Sequence, residues 1–130
     1  MNTSRKGKLL ELKVLTRFYE KGYDVAIPFG TQEHWDLLCW KNNKFQRVQV
    51  KTAKLRGVKK DRVYIDFLRS KDRIENQKTQ TWNYKGYSQD EIDWVIAVLP
   101  KTYLMWAIPV SAIANKRSLT FGLNDYRFDW

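Results

Sequence analysis

Four polar side chains have the types and the spacing needed to hydrolyse a phosphodiester bond. They are Glu11, Asp36, Gln49 and Lys51. Carboxylate and amide oxygens are the ligands that hard cations such as Mg²⁺ prefer, and a lysine beside the cation offsets the negative charge that grows on the phosphate oxygens. This chemistry requires a fold that brings the four positions together.

A predicted β-hairpin brings three of these side chains together. Residues 34–40 and 44–52 have the pattern of strands, and Asn42 with Asn43 tolerates the positive φ angles of a two-residue turn. Paired residue numbers then sum to 85, as 41 and 44 do, so Asp36 is predicted to lie opposite Gln49. Opposite residues share a face of the hairpin, as do residues two apart, so Lys51 is predicted to join this patch.

A predicted amphipathic helix over residues 3–21 carries the fourth side chain. Its apolar stripe also contains Glu11, so packing of the stripe on the hairpin would bring Glu11 into the patch. The alternative for Glu11 is a surface ion pair with Lys8, three residues earlier. The apolar residues of the stripe are Leu10, Val14, Leu15 and Phe18.

The remaining pattern predicts an α/β protein around one mixed sheet. Strands are predicted at residues 23–28, 62–68, 92–100 and 103–109, followed by a short helix at about 110–114. Residues 53–61 are predicted to form a basic loop, and the polar segment 70–91 a loop with one helical turn at most. A length of 130 residues fits a single domain over residues 1–130.

The charge favours a polyanionic partner such as nucleic acid. The net charge is +10, and residues 44–73 carry eleven basic and three acidic side chains, an excess of 11 − 3 = +8. The basic loop is either a phosphate clamp or a solvated turn, and residues 76–87 either read bases or form a flexible loop. The residues assigned to DNA contact are Lys8, Lys54, Arg56, Lys59, Lys60, Gln77, Lys78, Asn83 and Lys85.

Several other classes of protein are not indicated. The single Cys39 excludes an intramolecular disulfide, no Cys/His cluster has zinc spacing, and the lone His34 is assigned to packing or surface rather than to the site. No signal peptide or membrane span is predicted, and no membrane partner is expected. We expect a cytoplasmic bacterial protein that associates with the nucleoid when it is bound to DNA.

The four polar residues also carry a resemblance to a known family. The pattern E11…D36…Q49-V50-K51 resembles the PD-(D/E)XK nuclease signature, although Gln49 replaces the usual Asp or Glu. It is most similar to the PD-(D/E)XK homing endonucleases encoded in bacterial group I introns, which keep Gln at this position. The resemblance implies a restriction-endonuclease-like core, with a mixed β-sheet flanked by helices and the first helix packed on the β-hairpin that carries the active site.

The same resemblance implies a function. Glu11, Asp36 and Gln49 would hold Mg²⁺, or Mn²⁺ in its place, and Lys51 would stabilise the transition state during site-specific cleavage of double-stranded DNA. A double-strand break needs two sites, so a homo-oligomer is expected, at least a dimer, with a tetramer as the larger alternative. The aromatic tail 126–130 is one interface candidate. The alternatives are a Holliday-junction resolvase-like nuclease and a non-catalytic DNA-binding module whose site has decayed at Gln49.

Overall fold

The computed structural model of this chain describes residues 3–30, 34–67 and 90–130. Its one α-helix precedes eight strands and a 3₁₀ turn within these residues, in agreement with the predicted α/β class. No described helix is long and apolar enough to cross a membrane. The elements are α1 (Thr3–Glu20), β1 (Asp24–Ala26), β2 (Leu37–Lys41), β3 (Lys44–Thr52), β4 (Lys54–Arg56), β5 (Arg62–Asp66), β6 (Trp94–Val98), β7 (Met105–Pro109), the 3₁₀ turn Val110–Ala112 and β8 (Ser118–Gly122).

Helix α1 ends in a Schellman motif, as the position of Gly22 predicts. Gly22 has a φ of +91°, which glycine adopts without steric cost. The Tyr23 N–H donates to the Phe18 carbonyl at 3.1 Å, and the rings of these two residues meet edge to face with centroids 5.2 Å apart. This ending directs the chain from the helix into β1.

The hairpin β2–β3 has the predicted turn and the predicted register. Asn42 and Asn43 have φ angles of 54° and 62°, and the ladder pairs run from Lys41 with Lys44 to Leu37 with Val48. The predicted register, in which paired residue numbers sum to 85, is therefore confirmed over the whole of β2. The predicted strand start at residue 34 is wrong, since β2 begins at Leu37.

The strands form two sheets where the sequence predicted one. A five-stranded mixed sheet has the order β1-β2-β3-β6-β7, in which only β3 and β6 are parallel, and a three-stranded antiparallel sheet has the order β4-β5-β8. Strand β4 lies within the predicted basic loop, and β8 was not predicted. Strand β4 has only three residues, which are too few to show an alternation in the sequence.

The two faces of the five-stranded sheet are covered by different elements. Residues of α1, including Val14 and Phe18, pack with Val48 and Ile96 on one face. On the other face, Val95 and Ile108 pack with Val63 of the three-stranded sheet. In the described part of the chain, a helix therefore covers one face and a small sheet covers the other.

The aromatic tail belongs to the core of its own chain. Phe128 is buried, and both Phe128 and Trp130 contact Phe18 of α1, with ring centroids 5.1 Å and 5.5 Å apart. Arg17 donates to the Phe128 carbonyl at 3.2 Å. The prediction that this tail is exposed for an interface is wrong at Phe128, because the tail packs on Phe18 in the apolar stripe of α1.

An ion pair joins the start of β6 to the middle of β3. The Asp93 carboxylate accepts from the Arg47 backbone N–H at 2.8 Å and from the Arg47 guanidinium at 3.1 Å and 3.2 Å. Burial raises the pKa of Asp93, but the hydrogen bonds and charge of Arg47 outweigh it and hold this pKa below its ordinary value of 3.8. This ion pair fixes where the chain enters β6, the strand that pairs in parallel with β3 of the hairpin.

Replacing Asp93 with Ala should lower the free energy of unfolding by about 2 kcal/mol at neutral pH, because three hydrogen bonds to Arg47 are lost. A carboxyl with a depressed pKa stabilises the fold above its unfolded pKa, and this stabilisation is lost as the pH falls through the folded pKa. Urea unfolding at pH 7, 5 and 3 measures the difference. The exposed Asp24 offers the matched control, and an equal loss in Asp24→Ala would contradict the assignment.

Candidate active site

Asp36 lies where β2 separates from β3. Its N–H donates to the Val48 carbonyl at 2.8 Å, although the ladder partner of Val48 is Leu37. Two residues thus oppose one, which is the pattern of a β-bulge. The ladder ends there, so the predicted pairing of Asp36 with Gln49 is wrong. The Asp36 carboxylate instead accepts from the Val50 N–H at 2.7 Å.

Glu11 reaches Asp36 from the helix. It is partly buried on α1, where Lys8 lies 3.2 Å from its carboxylate. The same carboxylate shares a hydrogen bond with the carboxyl of Asp36. The sequence offered two alternatives for Glu11, an ion pair with Lys8 and a contact with Asp36. The structure contains both interactions.

The electrostatics of Asp36 are unusual for an aspartate. Burial raises its pKa from 3.8, the Val50 hydrogen bond lowers it, and the hydrogen bond and negative charge of Glu11 raise it again. The positive charge of Lys51 lowers it by a smaller amount, and the result is a pKa of about 7. Burial and the neighbouring Glu11 therefore favour the protonated form of Asp36 over the charged form.

Gln49 and Lys51 lie on the sheet face opposite to α1. Gln49 pairs with Val95 and Lys51 with Ala97, and both partners belong to the core beneath the three-stranded sheet. The prediction that α1 packs on the face bearing Gln49 and Lys51 is therefore wrong. Asp36 lies at the strand edge between the two faces, and it interacts with Glu11 and with the charge of Lys51. Gln49 makes no hydrogen bond with its side chain to another described residue.

A cleft of about 370 Å³ opens beside the two carboxylates. Glu11 and Asp36 line it together with Lys8, and the apolar Leu12 and Trp35 form part of its walls. Sequence reasoning did not assign Trp35 to the site, and its position next to Asp36 in the sequence was the only available signal. The cleft therefore gives an outside group access to the paired carboxylates.

The other predicted DNA contacts divide into two groups. Lys54 and Arg56 are exposed on β4, and Lys59 and Lys60 are exposed in the turn that leads to β5. The second group lies outside the described residues and consists of Gln77, Lys78, Asn83 and Lys85.

His34 does not take part in the carboxylate pair. Its Nδ1 lies 3.1 Å from the carboxylate of Glu91. Over residues 3–30, 34–67 and 90–130, no group of three or more His, Cys, Asp or Glu side chains is arranged to hold a metal ion.

Comparison with known proteins confirms the predicted family resemblance. The family model described as PD-(D/E)XK endonuclease matches residues 1–128. Protein 5.3 of Escherichia phage T7 is 45% identical over 47 residues, which are 36% of this chain and 40% of that protein. The aligned part therefore spans only two fifths of the length of this relative.

Two solved structures share the fold. A bacterial homing endonuclease, I-Ssp6803I, superimposes with a TM-score of 0.74 at 19% identity, over 100% of this chain and 84% of that chain. The Holliday junction resolvase Hjc from Archaeoglobus fulgidus superimposes with a TM-score of 0.52 at 13% identity, over 93% of this chain and 87% of that chain. These likenesses confirm the restriction-endonuclease-like fold class.

Replacing Asp36 with Asn should stabilise the metal-free protein at pH 8, on the order of 2 kcal/mol. A carboxyl with a raised pKa stabilises the fold fully below its unfolded pKa and loses that contribution as the pH rises through the folded pKa near 7. The gain from Asn should therefore shrink between pH 8 and pH 4. Urea unfolding in a chelator measures it, with Asp24→Asn as the control. A variant that is equally destabilised at both pH values would contradict the carboxyl pairing.

Proposed function

Because this chain belongs to the PD-(D/E)XK endonuclease family, we propose that it is a metal-dependent endonuclease that cleaves double-stranded DNA at a specific site, of the intron-homing type. The observation that carries this proposal is the meeting of Glu11 and Asp36 beside an open cleft, with Lys51 close enough to lower the pKa of Asp36. In this proposal residues 1–130 form one nuclease domain of a cytoplasmic bacterial protein, which associates with the nucleoid when it is bound to DNA.

The donor set fits a hard divalent cation. Glu11 and Asp36 supply carboxylate oxygens, and the raised pKa of Asp36 beside Glu11 indicates a place where positive charge is favourable. Gln49 would add a neutral oxygen, directly or through water. When bound, Mg²⁺, or Mn²⁺ in its place, would supply Lewis acidity and lower the pKa of a coordinated water.

The residues of the chain have separate roles in this proposal. One carboxylate oxygen of Asp36 accepts from the Val50 N–H, which fixes the orientation of the side chain and leaves the second oxygen to bind the cation. Lys51, on the other side of the strand, offsets the negative charge that develops on the phosphate during hydrolysis. Lys8 would approach the backbone phosphates at the mouth of the cleft, where it already pairs with Glu11.

Double-strand cleavage needs a second active site for the other strand. Each copy of this chain offers one pair of carboxylates in its described residues, so we propose a homo-oligomer, at least a dimer, with a tetramer as the larger alternative. With Phe128 buried against α1, the tail is not our candidate for its interface.

The second candidate function is a structure-selective nuclease that cuts four-way DNA junctions. The likeness to the fold of Hjc supports this candidate, although with the lower TM-score of 0.52. The third is a DNA-binding module without cleavage activity, which the neutral Gln49 would favour. Cleavage of junctions regardless of sequence would select the second, and tight binding without cleavage in Mg²⁺ or Mn²⁺ the third.

Replacing Lys51 with Ala should lower the cleavage rate by roughly 10²–10³-fold, since one electrostatic group at the reacting phosphate is removed. DNA binding should persist because most backbone contacts remain. Single-turnover cleavage of plasmid and genomic fragments, followed by sequencing of the ends, measures the rate and the target together. Lys44→Ala, at the other end of β3, is the matched control, and a Lys51→Ala enzyme that cuts like the parent would overturn the assignment.

Replacing Gln49 with Glu should lower the Mg²⁺ concentration needed for half-maximal cleavage, because a charged ligand replaces a neutral one. A titration of Mg²⁺ against rate measures the change. The replacement Gln46→Glu, on the same strand but bonded to Trp94, is the control. An unchanged requirement for Mg²⁺ would remove Gln49 from the proposed ligands.

A further inference from the structure

The outer face of the three-stranded sheet is a basic surface. Along each strand the inward side chains, such as Leu55, Val63 and Phe121, enter the core, and the alternate side chains point away from it. We call these outward residues the outer face. They are Lys54, Arg56, Arg62, Tyr64, Ser118 and Thr120, with Asp66 opposite Ser118 at the far end.

Two like charges face each other at one end of this surface. Arg56 and Arg62 are direct ladder partners, an arrangement that costs stability in the free protein. Neither side chain forms an ion pair with an acidic residue in the described part of the chain. Asp125, the acid beside Gly122, accepts instead from the Gly122 N–H at 3.0 Å. A bound anion would relieve the repulsion between the two arginines.

The Arg56 side chain is held ready for a planar partner. Its guanidinium carbon lies 3.5 Å from the centroid of the Tyr64 ring, which is the diagonal neighbour of Arg56 on the outer face. Stacking restricts the rotamers of the arginine while its N–H groups stay free to point along the plane of the guanidinium. An arginine fixed in this way loses little entropy when it donates to a phosphate or to the edge of guanine.

The outer face begins next to the proposed catalytic lysine. Lys54 follows Lys51 by three residues, or about 10 Å of extended chain. The exposed Lys59 and Lys60 in the turn between β4 and β5 extend the same charge. A duplex bound at Asp36 and Lys51 would therefore have Lys54, the first residue of the outer face, within about 10 Å of Lys51.

We propose that the outer face of the three-stranded sheet docks on duplex DNA beside the scissile phosphate, with Arg56 and Arg62 as its principal contacts. This inference rests on the proposed nuclease function, and it names the surface that determines how the DNA is held. Arg62 and Tyr64 are added to the proposed DNA-binding residues, because the pairing of β4 with β5 brings them beside Arg56.

The test measures binding without cleavage. The parent, Arg56→Gln, Arg62→Gln and the double variant are titrated with a short duplex of mixed sequence in a chelator, at several KCl concentrations. Each single variant should bind roughly tenfold more weakly, and the double variant should lose about two units of the slope of log affinity against log salt concentration. Lys44→Gln removes one equal charge at the far end of β3 and should change neither quantity.

Thermal unfolding of the free proteins separates a binding role from a structural one. Arg62→Gln should unfold at the parent temperature or above it, since the repulsion with Arg56 is removed. If both arginine variants bind and respond to salt as Lys44→Gln does, the docking surface is wrong even if the parent cleaves DNA. If the parent binds through these arginines but cuts no duplex in Mg²⁺ or Mn²⁺, only the proposed nuclease function fails. A folded parent that does not bind duplex DNA overturns both.

Discussion

The Val50 N–H must find an acceptor at the place where β2 leaves β3. A backbone donor that is removed from water without a partner costs on the order of 1–3 kcal/mol, and the bulge at Asp36 and Leu37 ends the ladder that would supply one. The Asp36 side chain takes the place of the missing strand carbonyl. A structural requirement of the sheet thereby holds a carboxylate at the edge of the strand, where Glu11 meets it and the cleft gives access to it.

The site therefore joins two halves of the molecule. Glu11 belongs to the side of the sheet that α1 and the tail cover, and Lys51 belongs to the side that the three-stranded sheet covers. Only a position at the strand edge can interact with both. The two core clusters, which pack on opposite faces of the same strands, determine how far Glu11 and Lys51 stand from Asp36.

Some features of the fold could be predicted from residues that favour particular backbone conformations. The end of α1 follows from Gly22, and the register of the hairpin follows from the two asparagines, because both depend on backbone conformations that few residues adopt. The sheet face on which α1 packs could not be predicted from the sequence, because β3 has partly buried residues on both faces and its alternation favours neither. Strand β4 is too short to show an alternation, and β8 and the position of the tail depend on contacts between residues far apart in the sequence, which no local pattern encodes.

The contact between α1 and the tail has a consequence for how the chain folds. Arg17 and Phe128, joined by a hydrogen bond, are 111 residues apart, and the central strand pair β3–β6 is parallel and also distant in sequence. Closing loops of this length costs chain entropy before the contacts can compensate for it, so folding should be slow for a protein of this size. Helix α1 can form early as a local structure, yet the part of Phe18 that Phe128 and Trp130 cover stays exposed until the tail arrives. Until the tail packs on α1, the apolar surface around Phe18 is open to association with other chains.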